Sequence, residues 1–216
     1  MAAEQPTSAH KEQDTFAALA AFAARLEAAE DAHQAVGDLA SRRGCNRDLL
    51  ILLCWLAASG RPALDGDAIA VLLDTADAWR RTVSDRVAEM ALQAQAQSAL
   101  LPPATLDSFL RDAAALELSA RHIERALMLD GVADSSVTPA PAADDHAAAP
   151  ALAHSLTAYF SALGIAAVPR DRVMVARLLR FVAPHLPIDR VETLSRLEAL
   201  VGDGRSIFQH EVNWVR

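Results

Sequence analysis

The chain is poor in glycine, poor in aromatics and almost free of lysine. It has 8 glycines in 216 residues, 5% Phe, Trp and Tyr, and Lys11 as its single lysine. Runs of β-branched residues are also missing, while alanine and leucine dominate. That balance argues against a sheet and for helix nearly throughout. Cysteine is scarce too: Cys45 and Cys54 are the only two. On one helix they would stand about 13 Å apart, too far for a disulfide within the chain. No apolar run approaches the roughly 18 residues a membrane span needs. The first 30 residues carry no apolar segment of the secretory type. Reduced thiols and no export signal give a cytoplasmic location as the expectation.

What is present is apolar surface in quantity, 52% of the residues. A sizeable core is therefore expected and wholesale disorder is not. The net charge of −8 opposes non-specific binding to nucleic acid. It is unevenly spread: residues 1–150 carry 12 basic and 22 acidic residues, residues 151–216 carry 8 and 6.

Periodicity divides the chain. Residues 1–13 are polar and expected to fray. Phe16, Leu19, Phe22 and Leu26 mark a first helix, and Val36 and Leu39 a second, from Asp31 to about Arg43, stopped by Gly44. Asn46 can cap a third helix, with Asp48 in its first turn. The eight successive apolar residues from Leu49 to Leu56 span all azimuths, so this helix is expected to be surrounded by others. Asp65 or Asp67 can open a fourth helix running to about Leu100. Its seam is Ile69, Leu72, Ala76, Trp79, Val83, Val87 and Met90. Pro102-Pro103 end it. Thr105 is the predicted cap of a fifth, with a seam of Leu106, Leu110, Ala113, Leu116, Ala120, Ile123 and Leu127, closed by Gly131. Residues 132–150 read as a Pro/Ala linker. Three shorter helices are predicted at 151–163, 170–183 and 188–201, followed by a tail at 202–216 with Ile207-Phe208 and Trp214-Val215.

The stretch Gly44-Cys45-Asn46-Arg47-Asp48 with its leucine run and Trp55, then Trp79-Arg80, then Glu117-Leu118-Ser119-Ala120 with Ile123-Glu124, resembles a family of uncharacterised proteobacterial proteins, the domain of unknown function 2390 group. The resemblance covers roughly residues 20–130. It departs from the family at Asp48, where the family has Asn, and at Leu39-Ala40-Ser41, where the family has Leu-Gln-Asp. The family's arginine-rich stretch after the second Trp survives only as Arg86. The resemblance implies an all-helical cytoplasmic protein and carries no activity.

Chemical motifs are few. His210-Glu211-Val212-Asn213-Trp214 opens like a zinc-protease helix but has Trp where the second imidazole must stand. No two histidines fall three or four residues apart. Asp144-Asp145-His146 lies in the linker and is expected to be solvated. Cys45 and His33 have no evident reason to meet as a nucleophile pair. No Gly-x-Gly-x-x-Gly, Walker or Gly-x-Ser-x-Gly pattern occurs. One patterned polar surface stands out: Arg170, Arg172, Arg177 and Arg180 on a predicted amphipathic helix, suited to an anion or an acidic partner. The same row could equally be solvated or offset the acidic first part of the chain. Trp55 and Trp79 sit on apolar seams, as core aromatics or as the lining of a pocket. Trp79 or Trp55 would need a partner for its indole N–H, with Asp48 or Asp77 the candidates.

The expectation is an all-α protein: a bundle of about five helices (14–131), a linker (132–150), and a small three-helix unit (151–201). No catalytic residue, metal or cofactor is expected. The expected function is a non-enzymatic adaptor or regulatory role through protein–protein interaction. The alternative is binding of a hydrophobic small molecule or acyl chain between helices. A protein partner is expected, a membrane or nucleic-acid partner is not. Homo-oligomerisation is open, because the two heptad-like seams can serve an interface or be satisfied inside the monomer.

Overall fold

The computed structural model describes residues 8–133 and 144–197. These form nine α-helices and no strand, so the chain is all-α as expected. The helices are α1 (Ser8–Ala28), α2 (Glu30–Arg43), α3 (Arg47–Ala58), α4 (Gly66–Trp79), α5 (Asp85–Ala96), α6 (Pro103–Ala133), α7 (Asp145–Ala162), α8 (Pro169–Val182) and α9 (Ile188–Ser195). The tail 202–216, with the pairs Ile207-Phe208 and Trp214-Val215 and the His210-Glu211 sequence, lies outside the described residues. So do 198–201 of the last predicted helix and 134–143 of the predicted linker. No described helix is long and apolar enough to cross a membrane.

The central element is α3. The Asn46 side chain accepts from the Leu49 N–H at 2.9 Å, capping the helix as the sequence predicts. Every residue from Asp48 to Ala57 is buried. Full burial of each large aliphatic side chain is worth about 1.5–3 kcal/mol, so this helix contributes more of the core than any other of its length. Gly44, at φ 68°, ends α2 in the left-handed region, where a side chain would be strained.

Several boundaries differ from the expected ones, each for a local reason. The first helix begins at Ser8, so residues 8–13 are helical in backbone. The long fourth helix is interrupted. Arg80–Ser84 form a π-helical turn between α4 and α5, and Ser98–Leu100 a 3₁₀ turn after α5. The fifth predicted helix starts at Pro103 rather than after Thr105, because proline is well placed in a first turn. It does not stop at Gly131. That glycine lies inside α6, and an added Cβ would meet Leu72 Cδ2 at 3.4 Å, an ordinary van der Waals contact, so the helix simply continues through it.

The largest revision concerns 132–150. Its described ends are helical: α6 continues to Ala133, and α7 begins at Asp145. Asp144 is exposed, as expected, but it is the cap of α7 and not linker: it accepts from the Ala147 N–H at 2.9 Å. The Asp145 carboxylate accepts from the His185 N–H at 2.5 Å. Ala148 and Ala149 are buried despite the lack of large side chains around them, because alanine lets α7 sit close to its neighbours. α7 packs on α3 and α4, and α8 on α2. One hydrophobic cluster joins α1–α4, the end of α6, and α7–α9.

Candidate interaction surfaces

Two regions carry the functional candidates: the arginine face of α8, and the hairpin formed by α5 and the first half of α6.

On α8 the four arginines do not act as one row. At about 100° per residue, Arg170 and Arg177 share an azimuth while Arg172 lies far around the helix. Arg170 donates to Asp38 at 2.7 Å. Arg177 donates to Gln34 at 3.1 Å and pairs with Asp31 at 3.6 Å. Both therefore face the acidic side of α2. Arg180 is exposed. Arg172 is exposed and lines a cavity of about 900 Å3.

The residue that fixes this interface is not one of the four arginines. Asp171 is wholly buried beneath the arginines. It accepts from Arg43 Nε at 2.9 Å and from the Val168 N–H at 3.0 Å, and it also pairs with Arg43 Nη2. Burial pushes its carboxyl up. The hydrogen bonds from Arg43 and Val168, with the charges of Arg43 and Arg42, outweigh that push and hold it below the usual carboxylate range. An aspartate three residues past a helix start is a readable cap signal. Its burial against Arg43, 128 positions away, is not.

A second buried polar group lies where α3 meets α6. Arg125 Nε donates to Asp48 at 2.5 Å, and both side chains are nearly inaccessible. Asn46 Nδ2 donates to Glu124 at 2.7 Å, and the Asn46 N–H donates to the Tyr159 hydroxyl at 2.6 Å. Burial pushes the Glu124 carboxyl up, against the lowering effect of Asn46. Asp48 is thus spent on Arg125, not on a tryptophan. Trp79 donates its indole N–H to the Ala120 carbonyl at 3.0 Å, and Trp55 is buried under the Arg61 guanidinium, 4.8 Å from its ring. Neither lines the cavity, whose walls come from α4, α7, the loop 164–167, α8, and Arg196 and Leu197.

The cysteines are both buried. Desolvation pushes the Cys45 thiol up to about 11 and the Cys54 thiol up to about 12, the opposite of what a nucleophilic thiolate needs. His33, the other half of the pair considered from sequence, hydrogen-bonds Arg47 at 3.2 Å. No group of three or more His, Cys, Asp or Glu side chains suited to a metal ion occurs among the described residues.

The α5–α6 hairpin differs from the rest of the molecule. α5 packs on α6, and Val87 is its one buried residue. From Pro103 to Ser119, α6 buries nothing completely. Its inner edge, Leu106, Leu110 and Ala113, is half-buried against α5. Beside that edge runs a second apolar line. Phe109, Leu116, Ile123 and Leu127 of α6 and Met90 of α5 are each between 37% and 48% exposed. The hairpin therefore stands off the core as an arm, based at the Trp79–Ala120 hydrogen bond and the π turn.

No family model, no curated protein and no solved structure matches the chain.

Proposed function

We propose that the protein is a cytoplasmic, non-enzymatic adaptor or regulatory protein whose working part is the α5–α6 arm. The observation that carries this reading is the line of large apolar side chains left exposed along one face of the arm, with Leu92 and Leu118 exposed on its other side, beside a core joined in one hydrophobic cluster. An exposed apolar face on a helical hairpin is the kind of surface that takes a protein partner. Membership in the family that the Gly44–Trp55 stretch resembles belongs to the same proposal and adds nothing on activity. The α8 arginines support the reading less well, because Arg170 and Arg177 are engaged with α2. The test is recovery of a partner by the full chain and by Leu116→Glu with Ile123→Glu. The wild type should recover a reproducible protein, and the double variant should lose it while keeping its helical content. Equal recovery by the two would overturn the reading.

The alternative, binding of a hydrophobic or acyl ligand, draws on the cavity at α4, α7 and α8, whose walls include Ala158, Ala162 and Ile165. A small molecule held by the protein in native mass spectrometry, and lost on Ala158→Trp, would favour it over the interaction reading.

A further inference from the structure

The interaction reading leaves the arm's partner unnamed. The repeat along α6 narrows it. Phe109, Ala113, Leu116, Ala120, Ile123 and Leu127 are spaced by four, three, four, three and four, an unbroken heptad seam. Such a seam is completed by other helices. Here the seam is covered on one side, by α5 at Ala113, which is half-buried, and by Trp79 of α4 at Ala120, which is buried, while the four large members stay exposed.

Wheel geometry places the exposed members together. At about 100° per residue, Phe109, Leu116, Ile123 and Leu127 lie some 60–100° to one side of the α6 edge that faces α5. Met90 lies about 60° from Val87 in the same sense along α5. In an antiparallel pair these two offsets point to the same face of the hairpin. The face runs about 27 Å along α6 from Phe109 to Leu127, flanked by α5 as far as Ala120 and by α4 beyond it, and is two helices, about 20 Å, wide. Two copies face to face would bury on the order of 1,000 Å2, the lower bound for a specific interface.

Charge completes the match. Arg86 borders this face on α5 and Asp112 borders it on α6, with Gln93 and Ser119 as the neutral residues one heptad along. The Arg86 side chain is 71% exposed and pairs with Glu89 of its own helix at 3.1 Å, so reaching the Asp112 of a mate means sharing or exchanging an exposed i,i+3 pair. The Trp79–Ala120 bond sets the register of the hairpin. Stepping from that pair up both helices brings Arg86 to the level of Ala113, beside Asp112. A twofold axis parallel to the arm would lay α5 of one copy on α6 of the other, antiparallel, and bring each Arg86 to the Asp112 of its mate. The alternation of helix direction is that of an up-and-down four-helix bundle.

We propose that the partner of the arm is a second copy of this chain, and that the two arms close into a four-helix bundle about the Phe109–Leu127 stripe, with Arg86 of each copy against Asp112 of the other. The proposal rests on the interaction reading above and makes it specific. A dimer of this form holds its two globular cores side by side at one end of a shared stalk.

Three measurements on the full chain test it. Sedimentation should give twice the chain mass at micromolar concentration, and Leu116→Glu with Ile123→Glu should weaken the dimer at least a hundredfold. Arg86→Cys combined with Asp112→Cys should give a disulfide-linked dimer on oxidation, and neither single variant should. The natural cysteines are buried, so they add little background. Within one chain the two positions flank opposite edges of the hairpin, so an intramolecular bond cannot mimic the result. The cysteine pair does not depend on the glutamate variant folding. A wild-type monomer at about 100 μM would overturn the proposal, as would a dimer untouched by the glutamates or a double cysteine variant that fails to cross-link. A monomer whose arm variant still loses a different protein would sink the dimer and leave the interaction reading standing.

Discussion

The core and the arm are made of similar residues and put them to opposite use. In α3, Leu49 to Leu56 are all buried, because α1, α2, α6, α7 and α8 surround the helix. In α6, Phe109, Leu116, Ile123 and Leu127 follow an equally regular pattern and remain exposed: α5 packs on the outer half of the helix, α3 and α4 on the inner half, and both leave this stripe uncovered. Hydrophobic pattern therefore says that a face will be covered, and the number of neighbours decides whether the covering comes from the same chain. That difference predicts unequal sensitivity to the same chemical insult.

The largest expected effect is a charge in the core. Leu53 is 1% exposed. Leu53→Glu combines a lost leucine, about 2–5 kcal/mol, with an unpaired buried carboxyl, and should prevent cooperative folding in thermal circular dichroism. Leu116→Glu on the arm should leave the same melt within about 0.5 kcal/mol when measured on monomer at low concentration. Equal losses at the two sites would erase the distinction between core and arm.

Next in size is Asp171→Ala, which strips Arg43 of its carboxylate between α2 and α8 and leaves it the Ala166 carbonyl as acceptor. Breaking a buried pair by removing one partner costs about 3–5 kcal/mol, and chemical denaturation should show most of it, since Arg43 keeps some access to solvent. The folded carboxyl lies below its unfolded value of about 3.9. Its stabilisation is therefore complete above that value and is lost as pH falls through the lower folded one. Asp171→Asn should flatten that acid limb. Glu124 runs the other way, because its folded value is raised. It disfavours the fold as pH rises from its unfolded value of about 4.3 through the higher folded one, and Glu124→Gln should remove that loss. An acid limb unchanged in Asp171→Asn would show that other carboxylates govern it.

Those two carboxylates also mark what the sequence could and could not disclose. Helix class, the Asn46 cap, the Gly44 stop and the buried run of α3 are local properties, and each was legible. The Asp38–Arg170 and Asp171–Arg43 pairs join residues more than 120 positions apart, and no spacing rule reaches that far. The segment 144–150 was misread because its alanines and Pro150 resemble linker composition. What decides its structure is an aspartate cap and a tight seat against α3 and α4, which only the fold supplies. The arm was hidden for the complementary reason. The two seams look alike in sequence, yet Ile69, Leu72 and Ala76 of α4 are covered while Leu116, Ile123 and Leu127 of α6 are not.

The join between the two regions gives the smaller effects. Trp79→Phe removes the donor to the Ala120 carbonyl at the base of the arm. It should cost about 1 kcal/mol and speed amide exchange in α5 more than in α3, since the arm would open without the core. Exchange accelerated equally in both helices would mean that arm and core open as one unit.

The smallest expected change is a gain. Ser84 closes the π turn, and its hydroxyl is buried without a hydrogen-bond partner among the described residues. A buried unsatisfied hydroxyl costs about 1–3 kcal/mol to desolvate, while alanine fills nearly the same space and favours helix. Ser84→Ala should therefore raise the denaturation midpoint, by up to about 1 kcal/mol, with no change in the slope of the transition. The gain should appear as slower exchange in α5 if the hydroxyl strains only the root of the arm. A loss of stability instead would mean that the hydroxyl finds a partner in solution, and that the π turn is held by that partner rather than by the packing of α4 and α5 on α6.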